Sequence, residues 1–261
     1  MPEFDAWGVT MTSCTICAKD FPKEYKYCPQ CGVPFDNESD PHYWGRKALT
    51  SRLGGEDLST SIEAIKKACE LSPGNAHLLS GLGNLYYRAG ELELSIETFR
   101  KAVGFKPDYP DAHYDLALSY YRTGQIKLAI KSLEKCVELS RDYLAAYYWL
   151  GITYYHVGKE VEAIAAFRHL LALNPASVIA NHHLGVSYAA LGKHDEAIAN
   201  FKRVLEICPD DQAAAYHLGM AYYNANQTSE ATGVFRTAVQ HDPDDRRAMN
   251  MFEMLTEVPS I

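Results

Sequence analysis

The sequence predicts an all-α fold of stacked antiparallel helix pairs, preceded by a small cysteine module, and three observations carry that expectation. Pro73, Pro107, Pro175, Pro209 and Pro243 stand on a ladder with a 34-residue step, whose missing rung is Arg141. The same step aligns Leu82, Leu116, Leu150, Leu184 and Leu218, each followed at once by a small residue: Gly83, Ala117, Gly151, Gly185 and Gly219. Four of the seven cysteines are crowded into residues 14–31. Internal repetition at such a period marks an array of supersecondary units, none of which can bury its apolar face alone.

Each part of the repeat has a mechanical reason. Three positions after the small residue come Tyr86, Tyr120, Tyr154, Tyr188 and Tyr222. Within a unit the apolar residues recur at helical spacing, as in Leu82 and Tyr86, then Ile96, Phe99 and Val103. Further small residues, Ser95, Ala129, Ala163, Ala197 and Ala231, precede Phe99, Leu133, Phe167, Phe201 and Phe235. Small side chains belong where two helices cross, because a bulky one would hold the axes apart. Gly90, Gly124, Gly158 and Gly192 fall between the two helices of a unit, where a left-handed residue closes a helix. The ladder proline then ends the second helix. One unit is thus a helical hairpin.

These residues resemble the tetratricopeptide repeat (TPR) pattern of Leu–Gly–x–x–Tyr followed by Ala, Phe and a closing Pro. The resemblance covers five full units in residues 76–245, divided as 76–109, 110–143, 144–177, 178–211 and 212–245. It implies a right-handed superhelical solenoid. A degenerate first unit occupies 42–75: residues 61–68 (SIEAIKKA) repeat residues 95–102 (SIETFRKA), while the helix before them, around 42–53, is irregular and ends at Gly54 and Gly55. Residues 246–256 read as a capping helix, with Met249 and Phe252 in apolar slots and Glu253 in the small-residue slot. A carboxylate there would be buried by another crossing helix, so the array is expected to stop. Arg141 and Asn226 depart from the pattern at a proline and a glycine slot.

Cys14, Cys17, Cys28 and Cys31 form two pairs, each with a two-residue gap, joined by ten residues. Four thiolates so spaced suit a closed tetrahedral metal site. Over residues 12–36 the segment resembles a short zinc ribbon, with Phe21, Tyr25, Tyr27 and Phe35 as its miniature core. So small a module needs a cross-link or a metal. Structural Zn2+ is the expectation; a rubredoxin-like iron site, a pair of disulfides and free thiols are the alternatives. Cys69, Cys136 and Cys208 fall at or near apolar faces of second helices and read as small buried hydrophobes.

Net charge is −8, which disfavours the broad basic footprint of a nucleic-acid binder. There is no apolar run long enough to span a bilayer, and residues 1–10 (MPEFDAWGVT) lack the pattern of a secretory signal. Met11 is a second candidate start. With an odd cysteine count this favours a reducing, cytoplasmic setting.

In the TPR resemblance the first helix of each hairpin lines the concave face, and its positions carry over here residue by residue. The implied peptide-binding residues are Asn84, Tyr87, Arg88, Tyr114, Tyr121, Arg122, Tyr148, Trp149, Tyr155, His156, His182, His183, Tyr216 and Tyr223, with Asp115 and His217 beside them. Tyrosine offers large contact area at low entropic cost plus a hydroxyl, and arginine grips carboxylates. An extended or helical peptide of apolar or proline-rich character is therefore the expected partner, with acidic residues near the first two repeats. A structural subunit, including a homo-oligomer, is the alternative. The carboxylate clamp of chaperone-tail receptors fits only at Asn84, where Ser80, Asp115 and Ala145 fill the other positions. The asparagine ladder of sugar-transferring TPR enzymes meets Gly81, Asp115, Trp149, His183 and His217 instead. No phosphate loop, nucleophile elbow or two-histidine metal motif is present, and His182 and His183 diverge by about 100° on a helix. A scaffold or adaptor is expected, and no enzyme.

Overall fold

The structure is a computed structural model that describes residues 11–13, 20–22, 29–30, 40–53 and 57–257. Two short strands, β1 (Met11–Ser13) and β2 (Asp20–Pro22), pair antiparallel, with Ser13 opposite Asp20. Helices follow in order: α1 (Pro41–Leu53), α2 (Leu58–Leu71), α3 (Ala76–Ala89), α4 (Leu92–Phe105), α5 (Pro110–Arg122), α6 (Ile126–Leu139) and α7 (Leu144–His156). They continue with α8 (Glu160–Leu173), α9 (Val178–Ala190), α10 (His194–Ile207), α11 (Gln212–Asn224), α12 (Thr228–His241) and α13 (Arg246–Thr256). The chain divides into two compact units, Met1–Ser119 and Tyr120–Ile261. Cys14, Cys17, Cys28 and Cys31 lie outside the described residues, as do Tyr25, Tyr27 and Phe35.

In the first unit the irregular opening helix is held by one large side chain. Trp44 and Ala48 of α1 pack with Ala64, Ile65 and Ala68 of α2 and with Leu82, Leu85 and Tyr86 of α3. The ammonium of Lys67 lies 4.3 Å from the Trp44 ring centre, so the indole is covered by a cation as well as by hydrocarbon. In the second unit each helix packs on the next from α6 to α13, and α9 also touches α7 and α11. That nearest-neighbour pattern is what a stacked repeat array requires.

The hairpins are held by one recurring contact. A Cβ added to Gly151 would lie 2.5 Å from the Phe167 ring; the corresponding separations are 2.9 Å for Gly83 and Phe99, 2.6 Å for Gly185 and Phe201, and 2.6 Å for Gly219 and Phe235. All four phenylalanines are almost wholly buried. The glycine therefore acts as a socket for the ring. In the sequence, the one full unit with leucine in the ring position (Leu133) is also the one with alanine at the socket position (Ala117).

The turns explain both departures from the repeat. Gly90, Gly124, Gly158 and Gly192 have φ of 71–82°, and Asn226 takes the same left-handed conformation at 60°. Asparagine is among the few residues that tolerate it. In each case the next N–H donates to the structural tyrosine's carbonyl, as Gln227 does to Tyr222 at 2.9 Å, which satisfies a helix-end carbonyl. At the proline rungs the chain makes a β-turn with proline second: Asp211 N–H donates to Cys208 O, and Ser177 N–H to Asn174 O. Arg141 sits second in an equivalent turn, closed by Tyr143 N–H to Ser140 O. That position accepts most residues, so the missing proline changes nothing in the path.

Two details differ from the sequence reading. On α13 the packed face is Ala248, Met251, Phe252 and Leu255, at i, i+3, i+4 and i+7, so Met251 and Leu255 take the part expected of Met249. Cys208 is exposed, because it lies just beyond the last turn of α10; Cys136 is buried and Cys69 half-buried. Burial pushes the Cys69 thiol up to about 11, which keeps it protonated and unreactive.

Candidate functional site

The second unit gathers the first-helix aromatics into one continuous ladder. Tyr121, in the last turn of α5, meets Trp149 of α7 edge-on at 5.0 Å, and Trp149 meets Tyr148 at 5.6 Å. Tyr148 reaches across to His183 of α9 at 5.7 Å, and His183 contacts His182 at 5.5 Å. His182 in turn meets His217 of α11 at 5.3 Å, and His217 meets Tyr216 at 5.7 Å. The guanidinium of Arg247, from α13, closes the far end 5.0 Å from the Tyr216 ring. At the near end His156 stacks on Tyr121, and its Nδ1 shares a 3.0 Å hydrogen bond with the Tyr121 hydroxyl.

The ladder rests on the phenylalanines that fasten the hairpins. His183 lies nearly parallel to Phe167, with centres 5.3 Å apart and planes at 11°. His217 does the same on Phe201, at 5.5 Å and 16°. Each ring is thus fixed by its socket glycine within one hairpin and stacked by an imidazole of the next. The positions repeat because Trp149, His183 and His217 are 34 residues apart and occupy one slot.

This packing sets the charge of the site. Burial lowers the His183 pKa to about 4, with the neighbouring His182 and His156 pushing the same way. Burial also lowers His182, against the attraction of Asp211, and lowers His217, helped by His182 and Arg247. At neutral pH the three imidazoles are uncharged, so the ladder presents ring faces and hydrogen-bonding nitrogens and no cation row. His182 Nε2 is buried without a hydrogen-bond partner.

The remaining expected residues are placed less uniformly. Among the described residues the Tyr155 ring pairs with no ring but that of its neighbour His156, centres 6.3 Å apart, and Tyr223 is exposed. Arg88 and Arg122 are exposed, and Tyr87 and Tyr114 are half-buried. Asn84 is engaged within the protein: its Nδ2 donates to Asp115 Oδ2 at 2.8 Å and to Ser80 O at 3.3 Å. With Arg88 it lines a recess of about 370 Å³ shared with Gly45, Ala48 and Leu49 of α1. The half-buried Asp115 carboxyl is raised above its ordinary range by burial, against the Asn84 hydrogen bond. Arg247 was not among the expected residues, since α13 carries no repeat slot that would flag it. Among the described residues no set of three His, Cys, Asp or Glu is arranged to hold a metal, and no helix is long and apolar enough to cross a membrane.

Comparison with known proteins places this architecture. Tetratricopeptide repeat family profiles match residues 83–124, 114–178, 162–212 and 188–252. The crystal structure of MamA is 30% identical with a TM-score of 0.59, covering 61% of this chain and 93% of MamA. The chain belongs to the tetratricopeptide repeat family. Two further structures share the fold. YrrB, described as a TPR protein with an unusual peptide-binding site, is 24% identical with a TM-score of 0.67 over 72% of this chain and 97% of its own. The C-terminal part of a TPR repeat-containing protein from Cytophaga hutchinsonii is 19% identical with a TM-score of 0.71, over 82% and 88%. No curated protein matches the chain by sequence.

The lowered imidazole pKa values give a pH dependence of definite sign. The unfolded chain takes up protons at the ordinary histidine value near ~6.5, while folded His183 resists until about 4. Stability from this source is complete above the ordinary value and is lost as pH falls from there towards 4. Replacing His183 with phenylalanine keeps the stacking on Phe167 and removes the titration. Melting temperature followed from pH 7 to pH 5 is expected to fall more steeply for the wild type than for His183→Phe. Parallel slopes would mean that His183 is not protected from protonation.

Proposed function

We propose that the protein is a non-enzymatic adaptor that captures a peptide segment of another protein along the ladder from Tyr121 to Tyr216. The observation that carries this reading is the continuity of the rings: residues from α5, α7, α9 and α11 form one half-buried stripe whose members touch in sequence. A stripe of neutral aromatic and imidazole rings suits prolines and aliphatic side chains, which stack on ring faces while hydroxyls and ring nitrogens meet the peptide backbone. The neutrality of the imidazoles favours an apolar or proline-rich segment. An acidic portion of the ligand would belong near the exposed Arg88 or Arg122. The peptide-binding site ascribed to YrrB, a protein of the same fold, is in keeping with a peptide ligand. In this reading Asn84 positions Asp115 and does not itself grip the ligand.

The test is capture from native lysate by the wild type beside Tyr121→Ala combined with Tyr148→Ala. The double substitution is expected to reduce recovery of the partner on the order of tenfold, with helicity retained, because two large anchors are lost. Undiminished capture would place the binding face elsewhere. Recovery of the chain's own copies alone would instead support a self-assembling subunit.

The same proposal extends to the N-terminal segment, where Cys14, Cys17, Cys28 and Cys31 hold a structural zinc ion that ties the module together. What supports it is the spacing of the two cysteine pairs together with the β1–β2 pairing, which brings together the ends of the segment bearing Cys14 and Cys17, and the turn at Pro29 and Gln30 between Cys28 and Cys31. Four thiolates would leave no open position for water, so the metal is structural and not catalytic. Protein purified under reducing, chelator-free conditions is expected to carry about one zinc per chain by elemental analysis. Iron in its place would indicate a rubredoxin-like site, and no metal at all would remove the proposal.

A further inference from the structure

The last hairpin carries a second candidate site on the opposite side of α11 from the ladder. An apolar cavity of about 420 Å³ has α10 and α12 as walls and α11 as its floor. Leu205, Ala215, Leu218, Gly233, Val234 and Ala238 are among the residues that line it. At about 100° per residue, the cavity-facing Ala215, Leu218 and Tyr222 point away from the ladder residues Tyr216 and His217. The two surfaces cannot hold the same group.

Comparison with an earlier hairpin shows how the cavity arises. Sixty-eight residues before Ala215 and Thr237 stand Tyr147 and His169. In that hairpin the pair fills the equivalent space: the rings stack with centres 4.0 Å apart, and His169 Nε2 donates to the Arg141 carbonyl at 3.2 Å. The last hairpin has neither ring, and the hairpin between the two carries Asn181 and Arg203 at these positions. Gly233, where the earlier hairpins of this unit have Ala165 and Ala199, removes a further methyl, and a Cβ there would find nothing within 4 Å. Hydrocarbon exposed to this extent is normally either filled from within or covered by a partner.

The rim indicates the chemistry of that partner. Asp210, Asp211, Glu230 and Asp245 all line the cavity. Asp211 and Asp245 already cap helices, accepting from the N–H groups of Ala214 and of Arg247 and Ala248. Asp210 and Glu230 have no side-chain partner among the described residues. Arg247 pairs with Asp245 at 3.2 Å, and the ammonium of Lys202 lies over the Tyr222 ring at 5.4 Å; with Asp210, Asp211 and Glu230 outside that ion pair, negative charge predominates. We propose that this cavity is a docking site, separate from the ladder, for an apolar side chain carried on a basic peptide segment, with lysine or arginine beside it meeting Asp210 and Glu230.

Calorimetric titration of the full chain tests this with a synthetic pentapeptide bearing leucine at its centre and lysine elsewhere. Saturable binding is expected, weaker by roughly tenfold when the central leucine is alanine or the lysines are glutamates. Ala215→Tyr with Thr237→His transplants the earlier hairpin's filling, and it is expected to abolish binding while melting at or above the wild-type temperature. Glu230→Gln with Asp210→Asn alters exposed groups only, and it is expected to weaken binding and flatten its salt dependence. Tyr121→Ala with Tyr148→Ala is expected to leave this binding unchanged, which separates the site from the ladder. Equal affinity for the lysine and glutamate peptides, undiminished binding to the charge variant or to a folded filled variant, or no saturable binding to the wild type would each overturn the proposal.

Discussion

The contact on which the rest depends is a phenylalanine ring seated against a glycine. In three consecutive hairpins of the second unit, and once in the first, the second helix places a buried ring where any side chain on the first helix would collide with it. Glycine in mid-helix costs about 0.5–1 kcal/mol relative to alanine. That cost is offset by close approach of the axes and by complete burial of a large aromatic. The spacing within each hairpin therefore follows from a pair of residues sixteen positions apart, such as Gly151 and Phe167.

The same rings build the candidate site. Phe167 and Phe201 each turn one side to a socket glycine and another to an imidazole of the following first helix, so the internal fastening and the ladder share atoms. This arrangement accounts for the site's electrostatics: histidines lying on buried phenylalanines lose water and stay neutral. It also gives α11 two different sides, one contributing Tyr216 and His217 to the ladder and one flooring an apolar cavity.

Much of this was legible in the residues themselves. The 34-residue step located the helices, the left-handed turns and the ring-and-socket slots, because each is set by local geometry that repeats with the sequence. The tolerance of the pattern was legible only in part: Arg141 and Asn226 looked like disruptions, yet a β-turn accepts arginine in second place and asparagine accepts a positive φ. What depends on contacts between hairpins was not legible. Nothing in the spacing says that His183 lies flat on Phe167, that Arg247 of α13 closes the ladder, or that Asn84 is taken up by Asp115. The cavity was invisible for a related reason. Ala215 and Thr237 are unremarkable alone and become informative only when their counterparts Tyr147 and His169 are seen to fill the same space.

A double-mutant cycle on the second unit tests the ring-and-socket contact most directly. Gly151→Ala, Phe167→Leu and the combination are compared by thermal and denaturant melting; the combination copies the pairing of small and branched residues at positions 117 and 133. If the ring occupies the space above Gly151, the added methyl is far less harmful once the ring is gone, and the two substitutions couple by about 1 kcal/mol or more. Effects that simply add, within about 0.3–0.5 kcal/mol, would mean that the two residues do not meet and that the hairpins are spaced by something else.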